Sequence, residues 1–121
     1  EIPLLCIVDE VLRGTNTIER IAASSEILAS LCLPHVLSFA ATHDIELTYM
    51  LEDYYANYHF EEEVKEDDVE FNYLLKKGRV TTRNAIRLLK MTGYDPSIVE
   101  ASKNAVARFE KEGSWKKVGE N

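Results

Sequence analysis

The N-terminal third of the chain alternates between short apolar runs and a longer amphipathic stretch. Leu4–Val8 is a run of five apolar residues, which is typical of a strand in a parallel sheet that is covered on both faces. Asn16, with Glu19 three residues later, predicts the N-cap of a helix that continues to about Leu31. A second apolar run, His35–Ala41, follows. The pattern predicts a βαβ unit and therefore an α/β fold.

A different pattern follows the second predicted strand. Residues 44–53 predict a short helix with three side chains turned inward: Ile45, Leu47 and Met50. Strands are then predicted at Tyr54–Val64 and Val69–Leu75, on either side of the acidic turn Lys65–Asp68. We expect an antiparallel β-hairpin in this part of the chain.

The C-terminal part predicts two helices and a tail. Thr81 or Thr82 is the candidate cap of the first helix, and Gly93 is well placed as the left-handed residue that ends it. Asp95 followed by Pro96 predicts the start of a second helix that runs to about residue 112. Five residues form its predicted apolar face: Ile98, Ser102, Ala105, Val106 and Phe109. Residues 113–121 predict a loose tail.

Composition narrows the possible functions. The chain has 14 basic and 21 acidic residues, a net charge of -7. Because binding to a phosphate backbone depends on clustered Lys and Arg, we expect no direct DNA contact from this segment. No apolar run reaches the ~18 residues of a membrane helix. Cys6 and Cys32 lie in apolar runs without metal-ligand spacing, which predicts buried, reduced thiols in a cytoplasmic protein.

The start of the chain indicates a fragment. Glu1 stands where a complete protein has methionine, and the chain enters a predicted strand almost at once. We therefore expect an upstream part of the protein that is missing from this sequence.

Polar side chains follow both predicted strands at the point where each strand ends. Asp9 and Glu10 end the first strand, and Thr42 and His43 follow the second. Ligands of α/β sheets bind at the carboxyl ends of the strands. An aspartate that holds Mg²⁺ beside a glutamate that activates water suits a nucleotide triphosphatase, and a nearby histidine can donate a hydrogen bond to a γ-phosphate.

Each of these signals also has a structural interpretation. An acidic pair after an apolar run is common where a strand meets water or a helix is capped, and Thr-His-Asp can simply begin a helix. We interpret four other polar features as structural or solvated: Arg13, His35, His59 and the acidic run Glu61–Glu70. The functional interpretation depends on the combination of acids and histidine in order and at βαβ spacing.

The acidic pair belongs to a longer motif, "LLCIVDEVLRGTNT", in which Arg-Gly-Thr follows Asp-Glu. This motif resembles the Walker B strand and following loop of the MutS family of DNA mismatch-repair ATPases. Three further stretches are similar to the family's next strand, hairpin and closing helix pair, in this order: "FAATHDIEL", "YANYHFEEEVKEDDVEFNYLLKKGRV" and "NAIRLLKMTGYDPSIVEASKNAV". The resemblance covers nearly the whole chain, and the Arg-Gly-Thr segment separates this family from other ABC-type ATPases.

The resemblance implies a particular fold and organisation. We expect a partial P-loop NTPase sheet of the ABC type, with a β-hairpin and a C-terminal helix-turn-helix. Residues 1–80 would form the C-terminal half of the ATPase domain, 81–112 a helix-turn-helix dimerisation element, and 113–121 the tail. The family pattern implies a homodimer formed through the ATPase domain and these helices, and DNA binding through upstream domains.

The resemblance also implies roles for individual residues. Asp9 would be the Mg²⁺-associated aspartate, Glu10 the catalytic base and His43 the γ-phosphate sensor. Four residues of the following loop would lie with ATP at the dimer seam: Gly14, Thr15, Asn16 and Thr17. ATP and Mg²⁺ are the implied cofactors of the intact protein.

The sequence departs from the family pattern at several positions. Leu12 and Arg20 replace glycines, Asn16 replaces a hydroxyl residue, and Asp44 replaces an aromatic residue. These departures suggest a divergent MutS-like branch. The chain also contains no Gly-x-x-x-x-Gly-Lys-Ser/Thr, the loop whose amides and lysine cradle phosphates, so we expect no ATP hydrolysis by this segment alone.

Three hypotheses follow. The chain is the C-terminal half of a MutS-like ATPase domain that couples nucleotide state to DNA binding upstream. Alternatively, it is a non-catalytic dimerisation or interaction module in which Asp9 and Glu10 are idle. A third hypothesis assigns the ATPase chemistry to another ABC-type system, such as chromosome maintenance or transport, and the Arg-Gly-Thr loop argues against it.

Overall fold

The computed structural model describes residues 1–65, 68–80 and 84–119. The chain divides into two compact units. The first comprises residues 1–60 and 75–80, and the second comprises residues 61–74 with the described residues from 84 onward. No helix in the described residues is both long enough and apolar enough to cross a membrane.

The first unit begins with the predicted βαβ arrangement. Strand β1 (Leu4–Asp9), helix α1 (Thr17–Ser30) and strand β2 (Val36–Ala41) follow one another along the chain. The strands pair in parallel, in a register that runs from Leu4 opposite Val36 to Asp9 opposite Ala41. The prediction of an α/β fold from the spacing of the apolar runs is confirmed.

Asn16 caps helix α1, as the sequence predicts. Its side-chain oxygen accepts hydrogen bonds from the backbone amides of Ile18 at 3.1 Å and Glu19 at 3.2 Å. These are two of the amides that a helix leaves without a partner in its first turn. The cap fixes where the loop after β1 ends and the helix begins.

We expect Asn16→Ala to destabilise the first turn of α1 by about 1 kcal/mol, because both amides lose their acceptor. Hydrogen exchange of peptides from this turn, measured in the intact protein, should become about fivefold faster. Asn16→Ser should retain most of the protection, because serine is also a good N-cap. Equal protection in the alanine variant and the native protein would show that the cap is energetically unimportant.

The core of the first unit lies between α1 and the short helix α2 (Ile45–Met50). Leu28, Leu47 and Leu51 are its buried centre. Five partly buried residues pack against them: Val11, Ile21, Ala29, Leu31 and Tyr55. The Tyr55 hydroxyl donates to the carbonyl oxygen of Leu28 at 2.7 Å, which satisfies the polar end of this ring.

Helix α2 is shorter than predicted, and its inward face is different. Leu47 is buried as expected, but Ile45 is exposed and the Met50 side chain is 51% exposed. Leu51 is buried instead. Residues four apart share one face of a helical turn, so Leu47 and Leu51 point the same way while Ile45 and Met50 lie to either side. The prediction is therefore wrong for Ile45 and Met50.

One face of the two-stranded sheet is open in this chain. Four apolar residues on that face are between 56% and 73% exposed: Leu5, Ile7, Leu37 and Phe39. The alternate positions, Cys6, Val8, Val36 and Ser38, are half-buried. The prediction that β1 is covered on both faces is thus wrong for the described residues, because they supply cover on one side only.

The cysteines are less enclosed than the sequence predicts. Both are free thiols, Cys6 half-buried and Cys32 exposed. Cys32 follows the end of α1, where the chain returns to the surface, and its sulfur lies 3.6 Å from the carbonyl oxygen of Leu28. The prediction of a buried thiol is wrong for Cys32.

The predicted hairpin consists of two short antiparallel ladders. In the first unit, β3 (Tyr58–His59) pairs with β6 (Lys76–Lys77). In the second unit, β4 (Glu62–Lys65) pairs with β5 (Asp68–Phe71). The antiparallel pairing is confirmed, but the strand prediction is wrong at residues 54–57, 60–61 and 72–75, which form turns and irregular backbone. The central residues of the predicted acidic turn, 66 and 67, lie outside the described part of the chain.

The two histidines interpreted as structural make local contacts. His59 Nδ1 lies 2.8 Å from the carbonyl oxygen of Gly78 beside the β3–β6 ladder. His35 Nδ1 lies 2.8 Å from a carboxylate oxygen of Glu1. Both contacts agree with the structural interpretation.

Arg79 attaches the chain after β6 to helix α2. Its guanidinium donates to the Thr48 hydroxyl at 3.1 Å and the Thr48 carbonyl oxygen at 2.9 Å. The same group pairs with the Glu52 carboxylate and lies 4.0 Å from the ring centroid of Tyr49. A single side chain thus stabilises this connection inside the first unit.

The second unit contains helices α3 (Ala85–Met91) and α4 (Pro96–Glu112). The candidate caps Thr81 and Thr82 lie outside the described residues. Asn84 precedes α3 without a capping bond, and its amide instead donates to a carboxylate oxygen of Glu62 at 3.2 Å.

The turn between the two helices follows the prediction. Gly93 has a φ of 86°, in the left-handed region that favours glycine. Asp95 caps α4 by accepting from the Ser97 amide at 2.8 Å, and Pro96 occupies the first helical position. The hydrogen bonds from Ser97 lower the pKa of Asp95. The predicted helix boundary is confirmed here.

The inward face of α4 differs from the prediction. Val99 is the buried residue of this helix, whereas Ile98 and Ala105 are exposed. The Trp115 ring stacks on Phe109, with centroids 4.2 Å apart. Trp115 is nevertheless 67% exposed, and residues 113–119 form turns and irregular backbone. The loose tail therefore stays a prediction, with a ring contact to the helix.

Candidate functional site

Asp9, at the end of strand β1, and Glu10, immediately after it, differ in backbone conformation and in exposure to solvent. Asp9 pairs with Ala41 in the sheet, and the Glu10 amide still donates to the Ala41 carbonyl oxygen at 2.9 Å. Glu10 has a φ of 51°, a left-handed conformation that costs a non-glycine residue about 1–2 kcal/mol. This conformation bends the chain immediately after the strand, while Asp9 remains exposed at the strand end.

Glu10 lies between a histidine and an arginine. One carboxylate oxygen is 3.2 Å from His43 Nε2, and the other is 3.3 Å from Arg13 Nε. The His43 side chain is 93% exposed, and that of Arg13 is also largely exposed, whereas that of Glu10 is partly buried. The structure therefore brings together Glu10 and His43, the two predicted catalytic residues, from the ends of neighbouring strands.

Arg20 and Asp44 form a two-pronged ion pair beside this contact. Arg20 Nε and Nη2 donate to the two Asp44 carboxylate oxygens at 2.8 and 2.7 Å. Arg20 Nη1 donates to the Thr15 carbonyl oxygen at 3.1 Å. The Arg20 and Asp44 side chains are only 19% and 17% exposed. The pair connects the loop after β1 to the turn after β2.

Electrostatics favour the charged forms of both partners. The hydrogen bonds from Arg20 hold the pKa of Asp44 below its usual range, against the opposing effect of desolvation. The hydrogen bond to Asp44 raises the pKa of Arg20 further. Because the pKa of Asp44 is lowered on folding, its contribution to stability is present above the ordinary aspartate pKa and is lost as the pH falls through the lowered value.

Most of the side chains described above line one cleft. Its volume is about 190 Å³, and eight residues line it: Glu10, Val11, Arg13, Gly14, Arg20, Thr42, His43 and Asp44. Pockets for complete small-molecule ligands usually measure about 300–1,000 Å³. The cleft is therefore smaller than a pocket that encloses a complete small-molecule ligand.

The predicted nucleotide-binding loop contributes unevenly to the cleft. Gly14 lines it, with a φ of 82° and open space where a side chain would be. The Thr15 hydroxyl donates to the Leu12 carbonyl oxygen at 2.5 Å, and the Asn16 side chain caps α1. Thr17 is the first residue of that helix. The nucleotide-binding roles of these four residues stay predictions.

Leu12, one of the departures from the family pattern, has an unusual backbone conformation. Its φ is 55°, again in the left-handed region. Glycine adopts this conformation without steric cost, and glycine is the residue that the resemblance places there. Leu12 therefore holds a backbone conformation that glycine would adopt at lower cost.

Asp9, the predicted metal ligand, is exposed at the end of β1. Asp9 does not line the cleft, and its carboxylate makes no ion pair within the described residues. In that part of the chain, no three His, Cys, Asp or Glu side chains cluster as a metal site would require. A Mg²⁺ ion shared with phosphates typically uses one or two protein carboxylates plus water, and an exposed aspartate at a strand end fits that donor set.

Sequence reasoning missed the Arg20–Asp44 pair. Both residues were noticed only as departures from the family pattern, one in the helix after β1 and one after His43. Their opposite charges, at positions where the pattern has uncharged residues, were the available signal. Nothing in the local sequence shows that two residues 24 positions apart contact each other.

The fold and cleft define an α/β domain with a polar site at the ends of its parallel strands. Residues 3–110 match MutS domain V, and the chain therefore belongs to the MutS family. It is 33% identical over 111 residues to the DNA mismatch repair protein MutS of Aquifex pyrophilus. That match covers 89% of this chain and 13% of the relative. The family resemblance read from the motifs is confirmed.

Proposed function

We propose that this chain forms the water-activating side of the ATPase site in a MutS-family DNA mismatch-repair protein. One observation supports the proposal most strongly: Glu10 and His43, from the ends of two parallel strands, lie 3.2 Å apart at a shared cleft. A carboxylate base and a hydrogen-bond donor at one point are the groups that attack of water on a γ-phosphate requires.

Each polar residue then has a distinct task. Glu10 accepts the proton of the attacking water, and His43 Nε2 donates to the γ-phosphate. Asp9, exposed at the end of β1, would hold Mg²⁺, and such an ion would neutralise charge on phosphate oxygens. Both contacts of the Glu10 carboxylate are with largely exposed side chains, so Arg13 and His43 are free to change partner when a nucleotide enters.

The chain does not supply the complete site. It contains no P-loop sequence, its cleft is smaller than a nucleotide pocket, and it spans 13% of the length of the relative it matches. We propose that upstream parts of the protein provide the phosphate cradle, the remaining strands and the DNA-binding surface. ATP binding and Mg²⁺-dependent hydrolysis by the intact protein test this function, and an intact protein that binds no ATP would refute it.

A second candidate is a non-catalytic interaction module. The open sheet face formed by Leu5, Ile7, Leu37 and Phe39 favours it, since exposed apolar patches of this kind mark surfaces that contact other protein. Under this alternative, the intact protein would self-associate without binding ATP. The same binding measurement therefore separates the two candidates.

The helix pair α3–α4 is the proposed dimerisation element. Tyr94 and Ile98 expose about half of their side-chain surface there, which offers apolar area to a partner. We expect deletion of residues 81–121 from the intact protein to weaken dimerisation, with a shift toward the mass of one subunit by light scattering.

A pair of point variants removes the ambiguity of a large deletion. Ile98→Glu should weaken the dimer because it places a charge in the contact, whereas Lys103→Glu, at an exposed position on the same helix, should have little effect. Unchanged mass in both the deletion and the Ile98→Glu variant would exclude this role for the helices.

A further inference from the structure

The contact between Glu10 and His43 depends on how the turn after β2 is held. The His43 ring is almost completely exposed, so packing around it does little to fix its position. The turn itself is short: the Asp44 amide donates to the Thr42 hydroxyl at 2.9 Å, and α2 begins at Ile45. The carboxylate of Asp44 connects this turn to helix α1 through two hydrogen bonds from Arg20.

Arg20 is the partner that receives this carboxylate. Helix α1 positions Arg20, and the Asn16 cap fixes the start of that helix. With Nε and Nη2 on Asp44 and Nη1 on the Thr15 carbonyl oxygen, one planar group holds both loops that line the cleft. Two-pronged arginine–carboxylate pairs fix orientation as well as distance.

The Arg20–Asp44 pair lies beside the Glu10–His43 contact. The pKa of Arg20 is raised mainly by its hydrogen bond to Asp44, and the pKa of Asp44 is lowered mainly by the hydrogen bonds from Arg20. Glu10, His43, Arg20 and Asp44 all line the one cleft. Breaking the ion pair would therefore change the lining of the cleft next to both Glu10 and His43.

We propose that Arg20 and Asp44 are positioning residues that hold His43 and the Thr15 loop in the geometry needed for turnover. This inference rests on the proposed ATPase function. It assigns a role to two residues that depart from the family pattern at separate places and contact each other in the fold.

The test uses the intact protein and measures ATP affinity and turnover separately. Arg20→Gln and Asp44→Asn should each lower kcat by roughly 10- to 100-fold, because misplacement of reacting groups by about 1 Å has effects of this size. The Kd for ATP, measured directly, should change by less than about threefold. The double variant Arg20→Gln/Asp44→Asn should lose no more activity than either single variant, because both substitutions break one interaction.

Rescue and control variants separate positioning from general stability. Exchanging the charges in Arg20→Asp/Asp44→Arg should recover part of the lost kcat, since an opposite-charge pair is restored. Arg79→Gln removes another multiply bonded arginine from the same unit, and it should reduce thermal stability while leaving kcat unchanged. Arg79 does not line the cleft.

Three outcomes would overturn the proposal, and they differ from one another. If the native protein hydrolyses ATP and the Arg20 and Asp44 variants retain full kcat, the positioning role is wrong and the proposed function stands. If the native intact protein neither binds nor hydrolyses ATP, the proposed function and the positioning role fail together. Multiplying losses in the double variant would also contradict a shared role.

Discussion

Replacing Glu10 by glutamine in the intact protein should leave ATP binding in place and lower kcat by about 10²-fold or more. An amide has nearly the size of the carboxylate and can still contact His43 and Arg13, but it cannot accept the proton of the attacking water. Loss of a general base typically has an effect of 10²–10⁴-fold. Single-turnover hydrolysis, together with direct measurement of bound ATP, separates the chemical step from binding.

Glu52→Gln is the matched control for this experiment. Glu52 is also a carboxylate paired with an arginine in the first unit, but its partner is Arg79 and it does not line the cleft. Its kcat should equal that of the native protein. If Glu10→Gln also turns over ATP at the native rate, Glu10 is not the base and the catalytic assignment ends.

Leu47→Ala should destabilise the first unit by about 2–5 kcal/mol. Leu47 is 4% exposed and packs in the cluster with Leu28 and Leu51, so truncation removes buried surface and leaves a cavity. Hydrogen exchange of peptides from α1 and α2 in the intact protein measures this locally, which avoids treating a large protein as two-state. The opening free energy of these segments should fall by the stated amount.

Met50→Ala provides the comparison within the same helix. Its side chain is similar in size to that of leucine but is half exposed, and its truncation should change the opening free energy by less than about 1 kcal/mol. Equal effects of Leu47→Ala and Met50→Ala would show that the core does not lie between α1 and α2 as described.

Local sequence patterns correctly predicted the elements and helix ends that depend on contacts between residues close together in the chain. The apolar runs set β1 and β2, the Asn16 cap set the start of α1, and Gly93 with Asp95 set the turn between α3 and α4. In each case the side chain acts on backbone groups only a few residues away. The structure confirms these boundaries.

Features that depend on distant contacts were predicted poorly. The sequence pattern of α2 is compatible with either Met50 or Leu51 as the buried residue, and only packing against α1 selects Leu51. The apolar run of β1 correctly indicated a strand but could not show which of its faces this chain covers. Trp115 follows the last helix in sequence, yet its ring stacks on Phe109 of that helix. The local sequence pattern did not indicate this contact.

The predictions for the candidate site also divide into those that local sequence decides and those that depend on distant contacts. The order of Asp9, Glu10 and His43 along a βαβ unit was sufficient to predict that Glu10 and His43 meet, because parallel strands end at one edge of the sheet. The separation of Asp9 from the cleft was not predictable, since it depends on the backbone bend at Glu10. The Arg20–Asp44 pair required the folded structure.

The left-handed backbone at Glu10 bears on how this position can evolve. Glycine would adopt that φ without steric cost. The contacts that it would lose, from the Glu10 carboxylate to Arg13 and His43, contribute little to stability because both partners are largely exposed. Under the proposed function, glycine at position 10 would stabilise the bend and leave the site without a base. At position 10, a substitution that raises thermal stability would therefore lower turnover.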